Sequence, residues 1–189
     1  QHSPALLARK TRTQRASAKT DDVALLLWQA AALIKAARTN ISTPFNRRRL
    51  TDGVLRQIAQ LSATTAGPKA VRDFLSQYGI IFIVNPMLPG TFLDGAAMLL
   101  DDRTPVVVVT LRHDRVDNFW FTLLHELAHV SRHYEALQHD RFAFFDDLDL
   151  DSNDGREKEA DELAQEALIP SSLLRSVNWT AYSSNEDIA

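Results

Sequence analysis

The chain has 189 residues, 45% of them hydrophobic, and a formal net charge of -3. It is long enough for one ordinary domain with a real core and carries no global footprint for nucleic acid. It contains no cysteine, which excludes a disulfide framework and any thiolate metal site, so a bound metal would have to be held by histidine and carboxylate. The most apolar N-terminal stretch, Val23 to Ala37, includes Gln29 and Lys35 and is too short to span a bilayer; no signal-peptide pattern precedes it. A cytoplasmic location without membrane contact is the expectation. The start at Gln1 and not at Met is expected to mark a fragment or a processed product.

Residues 1–20 carry Arg9, Lys10, Arg12, Arg15 and Lys19 with no acidic residue, a composition that predicts a basic linker or tail. Residues 21–66 read as an N-terminal helical segment. Asp21 to Arg38 opens on two aspartates and closes on a basic residue, as the helix dipole favours, and Asp52 to Ala63 follows after NRRRLTDG. A third helix starts at Gly67-Pro68 and stops at Gly79. Ile80 to Val84 is a β-branched and aromatic run, the mark of a buried strand. Ala96 to Leu100 and Pro105 to Leu111 flank Asp101-Asp102-Arg103 and predict a hairpin. A helix capped by Asp117 or Asn118 should run to about Tyr134. After the acidic stretch FFDDLDLDSNDG, a strong helix from Arg156 to Leu168 stops at Pro170, and Ser171 to Val177 can add a turn.

The segment FWFTLLHELAHV holds the informative feature, His125-Glu126-Leu127-Ala128-His129. On a helix, two histidines four apart lie on one face, about 6 Å apart along the axis. Their rings can converge on one metal ion, and Glu126 between them can reach a water on that ion as general base. Two histidines and a glutamate on an apolar helix are costly to bury unless something pairs with them.

A catalytic zinc takes three protein ligands and keeps one position open. In zinc peptidases of the thermolysin type, a glutamate on a second helix is the third ligand, and an acidic residue one turn later hydrogen-bonds a ligating histidine. In REKEADELAQEALIP, Glu157 and Asp161 share a face at that spacing, so Glu157 is the expected ligand and Asp161 the partner of His125. Glu159 lies about 200° round the helix from Glu157, so the two should not face the metal together. His133 would sit about 12 Å from His125 along an uninterrupted helix. The third histidine of a metzincin reaches its metal through a glycine-containing turn that is missing here, so His133 reads as a structural residue or one just outside the ligand set. His2, His113 and His139 have no ligand spacing. The stretch Asp146 to Gly155 fails the calcium-loop pattern: counted from Asp149, the sixth position is Asp154 and the twelfth Ala160. It reads as an acidic surface loop.

HELAH, followed by Glu157-Lys158-Glu159-Ala160-Asp161-Glu162-Leu163-Ala164 and Leu168-Ile169-Pro170, resembles the ImmA/IrrE family of metallopeptidases. That family pairs an HELGH-type helix with an E-x-E-A-[ND]-x-F-A…L-[LM]-x-P-type helix. The stretch LPGTFLDGAAMLLDDRTPVVVVTLRHDRVDNFWFTLLHELAHV is similar to the domains attached to Xre-type helix-turn-helix regulators and HigA-like antitoxins. The resemblance covers roughly residues 70 to 172; Ala128 stands where the family commonly has Gly, and Leu163 where it commonly has Phe. It implies an α+β fold, a minimal gluzincin-like zincin in which a small antiparallel-rich sheet packs on an active-site helix, with helices before it. On that reading residues 67–178 form the metallopeptidase domain and residues 179–189 begin a truncated C-terminal segment.

The resemblance also implies function: zinc-dependent, site-specific cleavage of a partner transcriptional repressor, switching on stress or mobile-element genes. The substrate would bind as an extended strand along the sheet edge. The metal is expected to be zinc, with manganese compatible with the same ligand types. DNA would be reached only through a domain outside this chain. For the residue that stabilises the oxyanion, the sequence offers only Tyr134 and His113. The alternative function is a HigA-like antitoxin or regulator that senses a ligand or binds a toxin without cleaving peptides. An intact Glu126 favours the enzyme, because a pure binding module has no need of it.

Overall fold

The structure is a computed structural model that describes residues 6–10, 21–64, 67–111, 115–139 and 155–176. Four strands, β1 (Leu6–Lys10), β2 (Ile81–Val84), β3 (Leu93–Leu100) and β4 (Thr104–Val109), make one sheet in the order β1-β3-β4-β2. β3 and β4 form an antiparallel hairpin from Gly95↔Val109 to Leu100↔Thr104, β2 runs parallel to β4, and β1 lies antiparallel to β3. The hairpin turns at Asp101 and Asp102, both at left-handed φ (52° and 58°), a conformation aspartate tolerates better than most residues.

β2, β3 and β4 are buried on both faces, which explains why β4 reads as an unbroken valine run without polar alternation. Side chains alternate across it. Ile81, Ile83, Leu93, Ala96, Met98, Val106 and Val108 meet Leu25, Trp28, Ala32 and Ala36 of α1 (Asp22–Ala37). Phe82, Ala97, Leu99, Val107 and Val109 belong to the larger core on the opposite face. That core is built on Phe119, Trp120, Leu123, Leu124, Leu127 and Val130 of α4 (Val116–Arg132). It also takes in α2 (Asp52–Gln60) and α3 (Gly67–Ser76), and ends on Ala164 and Ala167 of α6 (Gly155–Leu168). Two short α-helices also lie among the described residues, α5 (Tyr134–His139) and α7 (Ser171–Ser176). The architecture is α+β. Among the described residues no helix is long and apolar enough to cross a membrane.

α1, which belongs to the N-terminal helical segment of the sequence reading, packs on the sheet and is tied to it by polar contacts. Its N-terminus is capped by Asp21, whose side chain accepts from the Val23 and Ala24 amides. Trp28 Nε1 donates to the Pro86 carbonyl at 3.0 Å. The buried Asn85 is satisfied at both ends, donating to the Trp28 carbonyl at 3.3 Å and accepting from Lys35 Nζ at 2.7 Å. On the other side of the sheet, Ser131 donates to the Leu50 carbonyl at 3.0 Å and Arg132 pairs with Asp52 at 2.6 Å, joining the end of α4 to the start of α2.

Several boundaries differ from the sequence expectation: β3 starts at Leu93 and not Ala96, β4 ends at Val109 and not Leu111, and three further differences have a physical reason. β1 falls inside residues 1–20, where the basic residues pointed to a linker or tail; Leu6–Lys10 instead pair with β3, with a register shift between Arg9 and Lys10. A lone edge strand takes its order from the partner's hydrogen bonds, which local composition does not report. α4 begins at Val116 with Arg115 at the cap position and no side-chain cap; Asp117, expected as a cap, pairs with the Arg115 guanidinium. The same helix ends at Arg132, two residues short of the expected Tyr134. His133 leaves helical geometry (φ -115°, ψ 25°) and α5 starts afresh after it.

Gly95 marks the closest approach of sheet and helix. A Cβ there would lie 2.5 Å from Thr122 Cγ2, 3.0 Å from the Val108 carbonyl oxygen and 3.1 Å from Glu126 Cγ. The missing side chain is what lets Glu126 lie against β3. Gly95→Ala is expected to destabilise the fold by about 1–3 kcal/mol through overpacking. Adding Thr122→Ser, which removes the nearest clashing methyl, should recover part of that loss. Urea unfolding of both variants is the measurement; unchanged stability in Gly95→Ala would mean the strand and helix are not held this close.

Candidate metal centre

α6 reaches the site because its inner face is made of alanine. Ala160, Ala164 and Ala167, at i, i+4 and i+7, are the buried residues of this helix. Side chains this small let α6 lie close along α4. The carboxylates of its first two turns are thereby carried to the histidines of α4. His125, Glu126 and His129 are all buried, as expected for a motif set into an apolar helix.

His125 and His129 point their Nε2 atoms at one another, 3.0 Å apart. Glu157 spans the pair, with one oxygen 3.4 Å from His125 Nε2 and the other 3.3 Å from His129 Nε2. For a tetrahedral divalent ion bound at about 2.0–2.1 Å, neighbouring ligand atoms lie about 3.3–3.4 Å apart. The three contacts, the two to Glu157 being made by different oxygens, are each close to such an edge length. His125, His129 and Glu157 form a group able to hold a metal ion, their ligand atoms all within 4.8 Å of one another.

The donor chemistry makes the same point. The Asp161 carboxylate lies 2.9 Å from His125 Nδ1 and fixes that nitrogen as a donor. In the neutral ring this leaves Nε2 as an acceptor. The His125 lone pair and the Glu157 carboxylate then face the same space as His129 Nε2. A cation there, a proton or a metal ion, would satisfy them together.

The titration behaviour of the metal-free site agrees. Burial opposes charge on His125, but hydrogen bonds to Asp161 and Glu157 and the charges of Glu126 and Glu157 outweigh it and raise its pKa from 6.5 to about 9. His129 is shifted down, chiefly by burial and also by the charges of His125 and His133, against the pull of Glu157. Burial would raise the Glu157 pKa, yet its contacts with both histidines hold it well below the ordinary carboxylate range. At neutral pH one proton, on His125, occupies the place a metal would take.

Other sequence candidates fall elsewhere. Tyr134 donates its hydroxyl to the Arg103 carbonyl at 2.8 Å and packs its ring, tilted by 41°, against Phe45 with the centroids 5.1 Å apart. His2 and His113 lie outside the described residues, as do the side chain of His139 and the acidic stretch before Gly155. Glu159, read as facing away from the metal, does so but is engaged: its carboxylate meets His133 Nε2 at 3.2 Å. The sequence reading missed that contact, because it requires α4 to end where it does.

A family model for the IrrE N-terminal-like domain matches residues 92–189, a span that begins at β3 and contains both α4 and α6. The chain belongs to this peptidase family. The resemblance drawn from HELAH and the α6 motif thus points to the same family, and the region is a metallopeptidase-like domain. No curated protein and no solved structure matches the chain.

Two outcomes follow from the site. Because an incoming ion must displace the His125 proton below about pH 9, metal affinity should rise with pH, by up to about tenfold per unit for a single proton. It should level off near that pH. Calorimetry in buffers of differing ionisation enthalpy at about pH 7.5 should find close to one proton released per ion bound; no release would contradict this account of the site. Asp161→Ala should weaken metal binding by ~10–100-fold, read by competition with a chromophoric chelator. Unchanged affinity would reduce Asp161 to a surface charge.

Proposed function

We propose that this chain is a zinc-dependent endopeptidase that cleaves a partner protein at a specific site, and that the partner is a helix-turn-helix transcriptional repressor. The observation that carries the enzymatic reading is the setting of Glu126. This carboxylate is fully buried, lies between the two converging histidines in sequence, and packs its side chain against Gly95 of β3. A buried carboxylate placed there is costly for a protein that only binds, and useful to one that moves a proton.

His125, His129 and Glu157 would hold the ion. Two neutral imidazoles and one carboxylate suit zinc, leave the centre with net positive charge, and would also accept manganese. When bound, the ion supplies Lewis acidity toward a peptide carbonyl and lowers the pKa of water. Glu126 takes the proton from the attacking water as its oxygen bonds to the carbonyl carbon. It then returns that proton to the leaving amine as the C–N bond breaks, so the carboxylate ends as it began. Asp161 keeps His125 in the ligating tautomer throughout.

An extended substrate segment suits the edge of β3, where main-chain hydrogen bonds give affinity and side-chain pockets give register. That edge passes Gly95, whose neighbour across the strand pair is Arg9 of β1. On this reading the substrate segment takes the place of β1 beside the strand. The repressor as partner, and a cytoplasmic setting, rest on the family resemblance and on the specificity a regulatory protease requires.

Glu126→Gln keeps the shape of the side chain and removes its basic lone pair. Metal content should be retained while cleavage falls by ~10²–10⁴-fold, measured on a repressor encoded beside this gene. Cleavage at the wild-type rate in Glu126→Gln would rule out the mechanism. Absence of cleavage by the zinc-loaded wild type would favour the non-catalytic antitoxin or regulator.

A further inference from the structure

The two ligand histidines are supported differently. His125 has a carboxylate directly behind it, Asp161 at 2.9 Å. Behind His129 there is another ring: His129 Nδ1 and His133 Nδ1 are 3.0 Å apart, and His133 Nε2 is 3.2 Å from Glu159. We propose that His133 and Glu159 form a hydrogen-bond relay that holds His129 in its metal-ligating tautomer and orientation, making both of them positioning residues for the metal centre. The inference rests on His125, His129 and Glu157 being the metal ligands.

The hydrogens can be assigned by elimination. A ligating Nε2 on His129 must present its lone pair, so the ring proton of neutral His129 sits on Nδ1. That N–H points at His133 Nδ1, which must therefore accept. A neutral His133 that accepts at Nδ1 carries its proton on Nε2, and this N–H meets the acceptor-only carboxylate of Glu159. Each link in the chain has one possible direction. Reversing any one of them leaves two donors or two acceptors face to face at about 3 Å, in a buried place where such a mismatch is costly.

Burial explains why the relay uses a second histidine. His133 is 8% exposed, whereas the side chains of Glu157, Asp161 and Glu159 are 34%, 47% and 55% exposed. A carboxylate in the position of His133 would add a second charge to a buried site that already holds Glu126. A neutral imidazole carries the hydrogen bond outward to Glu159, where the charge is solvated. The end of α4 at Arg132 makes this possible: released from helical geometry, His133 still donates its amide to the His129 carbonyl at 2.8 Å, and its ring lies back against His129.

The test uses the whole chain with zinc. His133→Phe keeps a ring of similar size and removes both nitrogens, while His133→Gln restores an acceptor toward His129 and a donor toward Glu159. Glu159→Ala cuts the exposed end with little risk to the fold. Zinc affinity by chelator competition should fall by ~10–100-fold in His133→Phe, return most of the way in His133→Gln, and fall by a smaller factor in Glu159→Ala. Nitrogen-15 NMR of the zinc-loaded wild type should show His129 protonated at Nδ1 and His133 at Nε2, a signature that a merely space-filling role would not impose. Wild-type affinity in His133→Phe, or a His133 protonated at Nδ1, would overturn the relay while leaving the metal centre standing. Failure of the wild-type chain to bind zinc at all would overturn both.

Discussion

Two buried imidazole nitrogens and a partly solvated carboxylate meet at 3.0–3.4 Å. Left to themselves these groups repel, and the rest of the region can be understood as the means of forcing them together. Apolar packing does most of the work. The buried leucines of α4 anchor it to the sheet, and the alanine face of α6 brings the second helix in at close range. The driving force is burial of apolar surface remote from the polar groups, which is how a fold holds an electrostatically unfavourable constellation in a fixed shape. The cation that relieves the repulsion is a proton on His125 in the metal-free protein and an ion in the proposed enzyme.

Charge is graded across the site. The α6 carboxylates stand at its rim, each partly solvated, and the three histidines lie behind them. Glu126 is the exception, wholly buried on α4 beneath Gly95 of β3. The grading follows from the cost of desolvating an ion: a carboxylate at the rim keeps part of its hydration while still directing a buried ring. Between the ligand histidines it leaves Glu126 as a buried acidic group, and that is the group proposed to move protons.

The sheet contributes more than a floor for the helix. Because α1 covers one face and α4 the other, β3 and β4 are held at a fixed height, and Gly95 converts that height into contact with Glu126. Thr110 reinforces the same corner, donating its amide and its hydroxyl to the carbonyls of Leu93 and Asp94 just before Gly95. The strand that an extended substrate would meet is thus also the strand that fixes the general base.

Much of this was legible in the chain itself, for reasons of period. The four-residue spacing of His125 and His129, and of Glu157 and Asp161, states which side chains share a helical face, and that relation survives whatever the helices pack against. Runs such as IIFIV and PVVVV announce buried strands, since no other setting suits so many branched apolar residues in a row. What the sequence could not state was how separate elements meet. The pairing of Leu6–Lys10 with β3 depends on a strand more than eighty residues away. The contact from His129 through His133 to Glu159 depends both on the end of α4 at Arg132 and on the position of α6. Local sequence fixes which groups point together along one helix, because backbone geometry is local. Whether groups on different helices come within hydrogen-bond reach is decided by packing, which sums contacts over the whole chain.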